Sequence, residues 1–309
     1  MPRLATTVAL IFATRHAGRI LNSETYHRRN IIDNRPLQAL AAGLKAYSTW
    51  EGVSTLQACR ECTGGMGYME ENRISNLKRD ADVFVTFEGD NVVMLQSVVK
   101  ELLVEYGKLF GGSRVLATVS TVVGNLKSRL ATSPFARNTE PVTSINFVKA
   151  ALEFKENLLV RNLAARLTHK VGASQEEPFG AWNDCLDHVT VLAWCHIYRV
   201  VLEQFELAIK KHNVKEDRKI LDKLCELYAV RVMYDDRAWF LEQNYISANN
   251  SKSLRDKYIE LCGAVSKHSL DVVEAFCHPD NCVHAPIAGI KNDDTPWSYY
   301  PQTGVKARL

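Results

Sequence analysis

Residues 254–272 read LRDKYIELCGAVSKHSLDV, with apolar or aromatic side chains at alternating intervals of four and three. The positions concerned are Leu254, Tyr258, Leu261, Val265, His268 and Val272. This period is that of an α-helix that turns one stripe of side chains toward a core. Hardly any stretch of the chain alternates with the period of two that a half-buried strand requires. The sequence therefore predicts an all-α protein built of two helical bundles.

Two further stretches repeat this helical spacing. One stripe comprises Val148, Leu152, Leu159, Leu163 and Leu167, and the other Ile197, Val201, Phe205 and Ala208. Helices are expected to start near Asn91 and near Ser144, and a loop is expected over residues 171–180. Glycine and proline mark the predicted divisions: a first bundle over 1–110, a linker over 111–143, a second bundle over 144–277 and an extended tail over 278–309.

The composition is that of a globular protein and excludes several classes of function. The 309 residues carry 38 basic and 35 acidic side chains, a net charge of +3 that gives no reason to expect nucleic acid. Apolar runs fall far short of the roughly 20 residues that cross a bilayer. The eight cysteines are scattered, so they are expected to be free thiols. Residues 1–19 are basic and apolar. They are expected to form a helix of the mature protein rather than a targeting presequence.

The first segment in which chemistry is expected is CRECTGGMGY, residues 59–68. Gly64, Gly65 and Gly67 end a helix that is expected to begin near Ser54. Such glycines either stop the helix or let a ligand approach the backbone closely, and the segment alone leaves both readings open. The pair Cys59 and Cys62 is not expected to bind metal or to act in redox chemistry. Its possible zinc partners lie far along the chain, at Cys277, His278, Cys282 and His284.

The second segment is TFEGDN, residues 86–91, which an apolar helix follows directly. Asp90 or Asn91 is expected to cap that helix, which puts Glu88 on the turn before it. The apolar neighbours Phe84, Val85 and Phe87 would desolvate the carboxylate and favour its use as a general base. The alternative is an acid that only complements the helix dipole.

Together, ECTGGMGY (61–68) and TFEGDN (86–91) resemble the C-terminal helical half of the acyl-CoA dehydrogenase and oxidase superfamily. The Glu-Gly-Asp-Asn form, the long second bundle and ALEFKE (151–156) are similar to the acyl-CoA oxidases. The resemblance implies an FAD enzyme that inserts a trans double bond between C2 and C3 of a fatty acyl-CoA. Molecular oxygen would accept the electrons and leave as hydrogen peroxide.

The resemblance also assigns roles to single residues. Glu88 matches the carboxylate that removes the α proton, and its own amide is the candidate donor to the thioester oxygen. The positions that match flavin contacts are Glu61, Gly64, Gly65, Gly67, Asp90 and Asn91. Glu61 stands where dehydrogenases often have Gln, and Asp90 departs from their common Thr, which favours the oxidase branch.

Members of this family are about twice as long, with an N-terminal helical domain and a middle β domain. We therefore expect a truncated product that alone binds FAD weakly or not at all. The resemblance further implies a homodimer, and Ala307-Arg308-Leu309 resembles a peroxisomal address read by an import receptor. Two alternatives stay open: a non-catalytic helical protein that dimerises with full-length subunits, and a mitochondrial acyl-CoA dehydrogenase.

Overall fold

The structure, a computed structural model, describes residues 1–26, 34–109, 140–279 and 285–288. Within these ranges every regular element is helical and no strand occurs, which confirms the predicted all-α class. The long helices are α1 Pro2–Tyr26, α2 Arg35–Cys62, α5 Asn91–Leu109, α6 Ile145–Thr168, α8 Leu186–Lys211, α9 Lys215–Asp235 and α11 Ala248–Ser266. The short ones are α3 Gly65–Tyr68, α4 Ile74–Asp82, α7 Pro178–Asn183, α10 Arg237–Glu242 and α12 Ser269–Glu274, with 3-10 turns Glu70–Asn72, Val83–Val85 and Pro286–Ala288.

The chain divides into two compact units. The first unit comprises residues 1–48 and 89–268, and the second comprises 49–88 and 269–309. These units group helices by packing rather than by order along the chain, since α1 packs against α8 and α9 of the first unit. The predicted division at 110 and 143 stays a prediction. Most of the predicted linker and of the predicted tail lies outside the described residues.

Helix α8 is the centre of the first unit and packs against α1, α5, α6 and α9. Its predicted stripe is confirmed, because Ile197, Val201 and Phe205 are completely buried. Leu192 and Cys195 are also buried, so α8 is covered on more than one face. A helix that is apolar on several sides belongs in a core rather than at a surface.

Helix α6 starts where the sequence predicts. The Oγ atom of Ser144 accepts a hydrogen bond from the Phe147 amide at 3.1 Å, which caps the helix. Val148, Leu152 and Leu163 of its predicted stripe have no exposed surface. The stripe faces α8, and this contact joins two long helices of the first unit's core.

Three local predictions are wrong in their bounds. Helix α2 begins at Arg35 rather than near Ser54. The predicted loop over 171–180 holds a π-helical turn, His169–Ala173, and the start of α7, which the Glu177 carboxylate caps. The stripe over 254–272 is interrupted, because α11 ends at Ser266.

Gly43 lies inside α2, at a point where the helix closely approaches its neighbours. A Cβ atom at this position would lie 2.0 Å from Ile197 Cδ1 and 3.2 Å from Val98 Cγ2. The glycine is therefore a point of close helix approach inside α2, not a helix stop. Sequence alone counts the same residue as a weak helix breaker.

The N-terminal segment forms the predicted helix, α1, whose Ala5, Ala9 and Ala13 are fully buried. No helix in the described ranges is both long and apolar enough to cross a membrane. The described cysteines are unpaired thiols, as expected, and Cys59 and Cys62 are exposed. Among the described residues no three potential metal-binding side chains come together; Cys282 and His284 lie outside them.

A charged cluster connects α6 with α8 in the first unit. Arg199 donates from Nε and Nη2 to the two carboxylate oxygens of Glu156, at 2.8 and 2.9 Å. The Nδ1 atom of His196 lies 3.2 Å from the same carboxylate. Burial acts to raise the pKa of Glu156, but the hydrogen bonds with His196 and Arg199 outweigh it and lower the pKa to about 2.

We expect Glu156→Gln to cost on the order of 3 kcal/mol of unfolding free energy at neutral pH. Because the folded state lowers the pKa of Glu156, this stability is present above the ordinary carboxyl value of 4.5 and is lost as the pH falls toward about 2. Urea unfolding of both proteins between pH 7 and 3 measures the difference. Glu153→Gln, at an exposed position of the same helix, is the control. A difference that does not change with pH contradicts the assignment.

Candidate functional site

The glycine turn of the second unit begins where α2 ends at Cys62. Gly64 has a φ of 59°, in the left-handed region that favours glycine. A Cβ atom on Gly67 would lie 2.1 Å from Thr63 Oγ1 and 2.4 Å from the Arg60 carbonyl oxygen. The backbone geometry of the turn therefore requires two of the three glycines, whether or not a ligand binds.

Gly65 differs from its two neighbours. Its φ is not positive, and a Cβ atom there would have no heavy atom within 4 Å. The residue is exposed at the start of α3. Nothing in the folding of the described chain requires glycine at this position, which leaves open the close approach of another molecule to its backbone.

Two side chains of the second unit hold the glycine turn in place. Asn72, only 2% exposed, donates from Nδ2 to the Met66 carbonyl at 2.9 Å and accepts from the Ile287 amide at 3.0 Å. The Ser75 hydroxyl donates to the Gly67 carbonyl at 3.2 Å. The turn is thus held by hydrogen bonds that the Met66 and Gly67 carbonyl groups accept.

The predicted flavin contact Glu61 lies on the last turn of α2 and is exposed. Gln57 donates from Nε2 to its carboxylate at 2.5 Å, and Lys78 of α4 donates to the Gln57 side-chain oxygen at 2.6 Å. This hydrogen-bonded chain orients Glu61 from a neighbouring helix. Its role toward a flavin stays a prediction.

Glu88 lies on the predicted turn and has a φ of 57°. Left-handed backbone is uncommon for a residue of this type, although four other non-glycine residues of the described chain also adopt positive φ. The side chain is exposed. Among the described residues neither its carboxylate nor its amide has a hydrogen-bond partner.

The apolar neighbours of Glu88 do not supply the expected desolvation by themselves. Phe84 and Phe87 pack edge to face, with ring centroids 5.5 Å apart. They stay 47% and 44% exposed, and Val83 is 53% exposed. The turn therefore presents a carboxylate and an apolar surface together, and a further molecule is needed to remove the water from both.

Asp90 and Asn91 have structural roles in the first unit. Asp90 Oδ1 accepts from the Val92 and Val93 amides at 2.9 and 3.4 Å, which confirms it as the cap of α5. Asn91 is fully buried and donates from Nδ2 to the Ala46 carbonyl at 3.4 Å. Whether either residue also contacts a flavin stays a prediction.

Lys45 was not predicted from the sequence to belong to the site. Its ammonium group donates to the Gly89 carbonyl at 2.6 Å and to Asn91 Oδ1 at 2.7 Å. Lys45 lies on α2, 44 positions before Gly89, and no local motif links the two. Lys78 was not predicted either, because no local motif links it to Gln57. The pairing of Gln57 with Glu61 could have been predicted, since residues four positions apart lie on the same face of a helix.

A cavity of about 240 Å³ lies in the first unit, but none of the predicted site residues lines it. Tyr47, Trp194 and Tyr198 form its aromatic wall. Lys155, which is 3% exposed, also lines it and forms an ion pair with Asp236. Its charges are paired within the fold, so this cavity is not the candidate site.

Family models match most of the chain. A model described as "Acyl-CoA oxidase, C-alpha1 domain" matches residues 1–103, and one described as "Acyl-CoA oxidase" matches residues 144–290. The chain belongs to the acyl-CoA oxidase family. The two motifs around Gly64 and Glu88 both fall within the first matched region.

Curated relatives agree with this membership. The acyl-coenzyme A oxidase-like protein of Mus musculus is 45% identical over 97% of this chain and 48% of its own length. The peroxisomal acyl-coenzyme A oxidase 2 of Arabidopsis thaliana is 33% identical over 93% of this chain and 42% of its own length. The chain thus spans less than half the length of these acyl-CoA oxidase relatives.

Solved acyl-CoA oxidase structures share the fold. Oxidase 3 of Yarrowia lipolytica matches with a TM-score of 0.78 at 21% identity, over 93% of this chain and 42% of that chain. Oxidase-2 of Caenorhabditis elegans, bound with FAD, ascaroside-CoA and ATP, matches with a TM-score of 0.76 at 23% identity and the same coverage.

We expect Gly67→Ala to destabilise the protein by about 1–3 kcal/mol, because the added methyl group would overlap Thr63 and the Arg60 backbone. Gly65→Ala is the matched control, since its methyl group would meet open space and alanine favours helix. Urea unfolding followed by circular dichroism compares the two. Equal losses in both variants contradict the proposed crowding at Gly67.

Proposed function

We propose that this chain carries the catalytic base and part of the flavin-binding surface of an FAD-dependent acyl-CoA oxidase. The substrate is a fatty acyl-CoA, the product is the trans-2-enoyl-CoA of fatty acid β-oxidation, and oxygen is reduced to hydrogen peroxide. The observation that carries the proposal is the Glu88 turn. It presents an exposed carboxylate directly before a capped helix, next to exposed aromatic side chains.

In this reaction the Glu88 carboxylate takes the α proton of the acyl-CoA. That proton is weakly acidic, so its removal requires a base from which water is excluded. Glu88 has no ion pair or hydrogen bond of its own among the described residues, so its carboxylate is available to accept a proton. The exposed rings of Phe84 and Phe87 supply an apolar surface on which an acyl-CoA can exclude water.

The amide of Glu88 has a second role in the proposal. Negative charge develops on the thioester oxygen as the α proton leaves, and a fixed hydrogen-bond donor stabilises that charge. The Glu88 amide has no acceptor among the described residues, so it is available to donate to this oxygen.

The residues around Gly65 fit an FAD contact. Gly65 is exposed and is not required by the fold, and Glu61, on the last turn of α2, is oriented by Gln57. FAD, when bound, would supply the acceptor for the β hydride and the route by which the electrons reach oxygen. The FAD named for the Caenorhabditis elegans relative supports this assignment. In the proposal the glycine turn contacts the FAD of a partner subunit, in a homodimer.

The proposal places the protein in the peroxisome. Several curated relatives are named as peroxisomal oxidases. The terminal Ala307-Arg308-Leu309, which lies outside the described residues, would be the segment that the import receptor reads.

The chain alone is expected to take up FAD weakly or not at all. The described residues offer one edge of a flavin site, and the relatives carry more than half of their length beyond the matched region. Titration of the purified protein with FAD, followed by the flavin spectrum and by equilibrium dialysis, measures the uptake. Tight stoichiometric binding contradicts this expectation.

Glu88→Gln is expected to lower peroxide release about 10²- to 10⁴-fold, because the amide does not accept the α proton. The measurement uses the full-length context, with this chain joined to the N-terminal half of an acyl-CoA oxidase, at saturating acyl-CoA. Circular dichroism and FAD content must stay unchanged.

Glu105→Gln, the same substitution at an exposed position of α5, is the matched control and is expected to retain full activity. Full activity in Glu88→Gln refutes Glu88 as the base. A folded, flavin-free and inactive full-length protein would favour the non-catalytic dimerisation protein. Turnover that requires an electron acceptor other than oxygen would favour a dehydrogenase.

A further inference from the structure

The backbone that follows Glu88 is held by one lysine. Lys45 Nζ donates to the Gly89 carbonyl oxygen at 2.6 Å and to Asn91 Oδ1 at 2.7 Å. Both acceptors belong to the first unit, as Lys45 does. A single ammonium group therefore fixes the main chain just before Asp90, at Gly89, and the side chain just after it, at Asn91.

Other contacts make this arrangement rigid. Asn91 is completely buried and donates to the Ala46 carbonyl, so two successive residues of α2 hold it. Asp90 caps α5 through the Val92 and Val93 amides. Residues 89–91 are thus fixed by α2 on one side and by α5 on the other.

Regular secondary structure cannot hold this turn. Glu88 and Gly89 have φ values of 57° and 107°, so two successive residues lie in the left-handed region. Such conformations persist when surrounding contacts determine them, and they cluster at functional sites. Glu88 makes no hydrogen bond of its own among the described residues, so its direction depends on the contacts of the residues beside it.

Gly43 brings Lys45 into this position. The absence of a side chain at Gly43 lets α2 approach Ile197 of α8 and Val98 of α5. Lys45 is half-buried two residues later on the same helix. Its ammonium group gives up hydrogen bonds to water and donates instead to the Gly89 carbonyl oxygen and the Asn91 side-chain oxygen. These two contacts can form only if α2 holds Lys45 at a fixed distance from both acceptors.

We propose that Lys45 is a positioning residue, which holds the Glu88 turn so that the carboxylate is presented to the substrate in one orientation. This inference rests on the proposed function, in which Glu88 is the base. Lys45 contacts neither substrate nor flavin in the proposal. It acts through the Gly89 carbonyl, and its loss lowers the rate of proton removal without weakening substrate binding.

The first test needs no enzyme activity. Lys45→Met keeps the length of the side chain but removes the donors, and Lys45→Arg keeps donors at the same position. Hydrogen exchange followed by mass spectrometry reports peptides that cover residues 86–94. We expect exchange there to become at least tenfold faster in Lys45→Met, with little change in α6 or α9, and to be partly restored in Lys45→Arg.

Lys149→Met is the matched control, because it removes a lysine contact of similar length, that with Glu206 at 2.5 Å, from the same unit. It is expected to leave exchange over residues 86–94 unchanged. Unchanged exchange in Lys45→Met, or equal acceleration throughout the protein, overturns the inference and leaves Lys45 with a general structural role.

The second test uses the full-length context. Lys45→Met is expected to lower kcat about 10- to 100-fold with KM within twofold, and to increase the kinetic isotope effect of an α-deuterated acyl-CoA. A rise in KM at constant kcat, or an unchanged isotope effect, overturns the positioning role. Activity that survives Glu88→Gln refutes the proposed function instead, whatever the exchange result for Lys45→Met.

Discussion

The burial of α8 on several faces is the constraint on which the rest of the first unit depends. Helices α1, α5, α6 and α9 all pack against it, and Ile197, Val201 and Phe205 have no exposed surface. Ile197 of this helix also sets the position of α2, because only a glycine at position 43 allows the approach. The contact that holds the Glu88 turn is therefore a consequence of core packing, since Lys45 follows Gly43 on α2.

The fold class was predictable because helical periodicity is a local property. Each stripe of apolar residues is visible without knowledge of its partner, and the cap at Ser144 is a local signal as well. The start of α2 also has a local signal that the prediction overlooked, because Asn34 Oδ1 accepts from the Leu37 amide at 3.1 Å and Pro36 lies in the first turn. Glycine in a helix costs stability on average, and its value at position 43 depends on a side chain more than 150 positions later. Tertiary packing therefore accounts for the glycine inside α2, whereas the start of the helix is capped locally.

The residues of the candidate site show the same difference between local signals and tertiary contacts. Asp90 as a helix cap and Glu88 on a turn follow from neighbouring residues, and the structure confirms both positions. The partners that fix these residues come from other helices: Lys45 for the carbonyl after Glu88, and Lys78 for the chain that orients Glu61. A lysine in a helix carries no signal of its partner, because most lysines are solvated.

If Glu88 is the base, orientation and dehydration have different sources. The orientation of the carboxylate comes from the chain itself, since the backbone after Glu88 is anchored by hydrogen bonds to α2 and by the cap of α5. The exclusion of water does not come from the described residues, because the carboxylate and the rings of Phe84 and Phe87 are exposed. A carboxylate in water is a weak base toward a thioester's α proton, and exclusion of water strengthens it. Bound acyl-CoA and flavin would then complete the base, so that its strength would appear only when the reactants are in place.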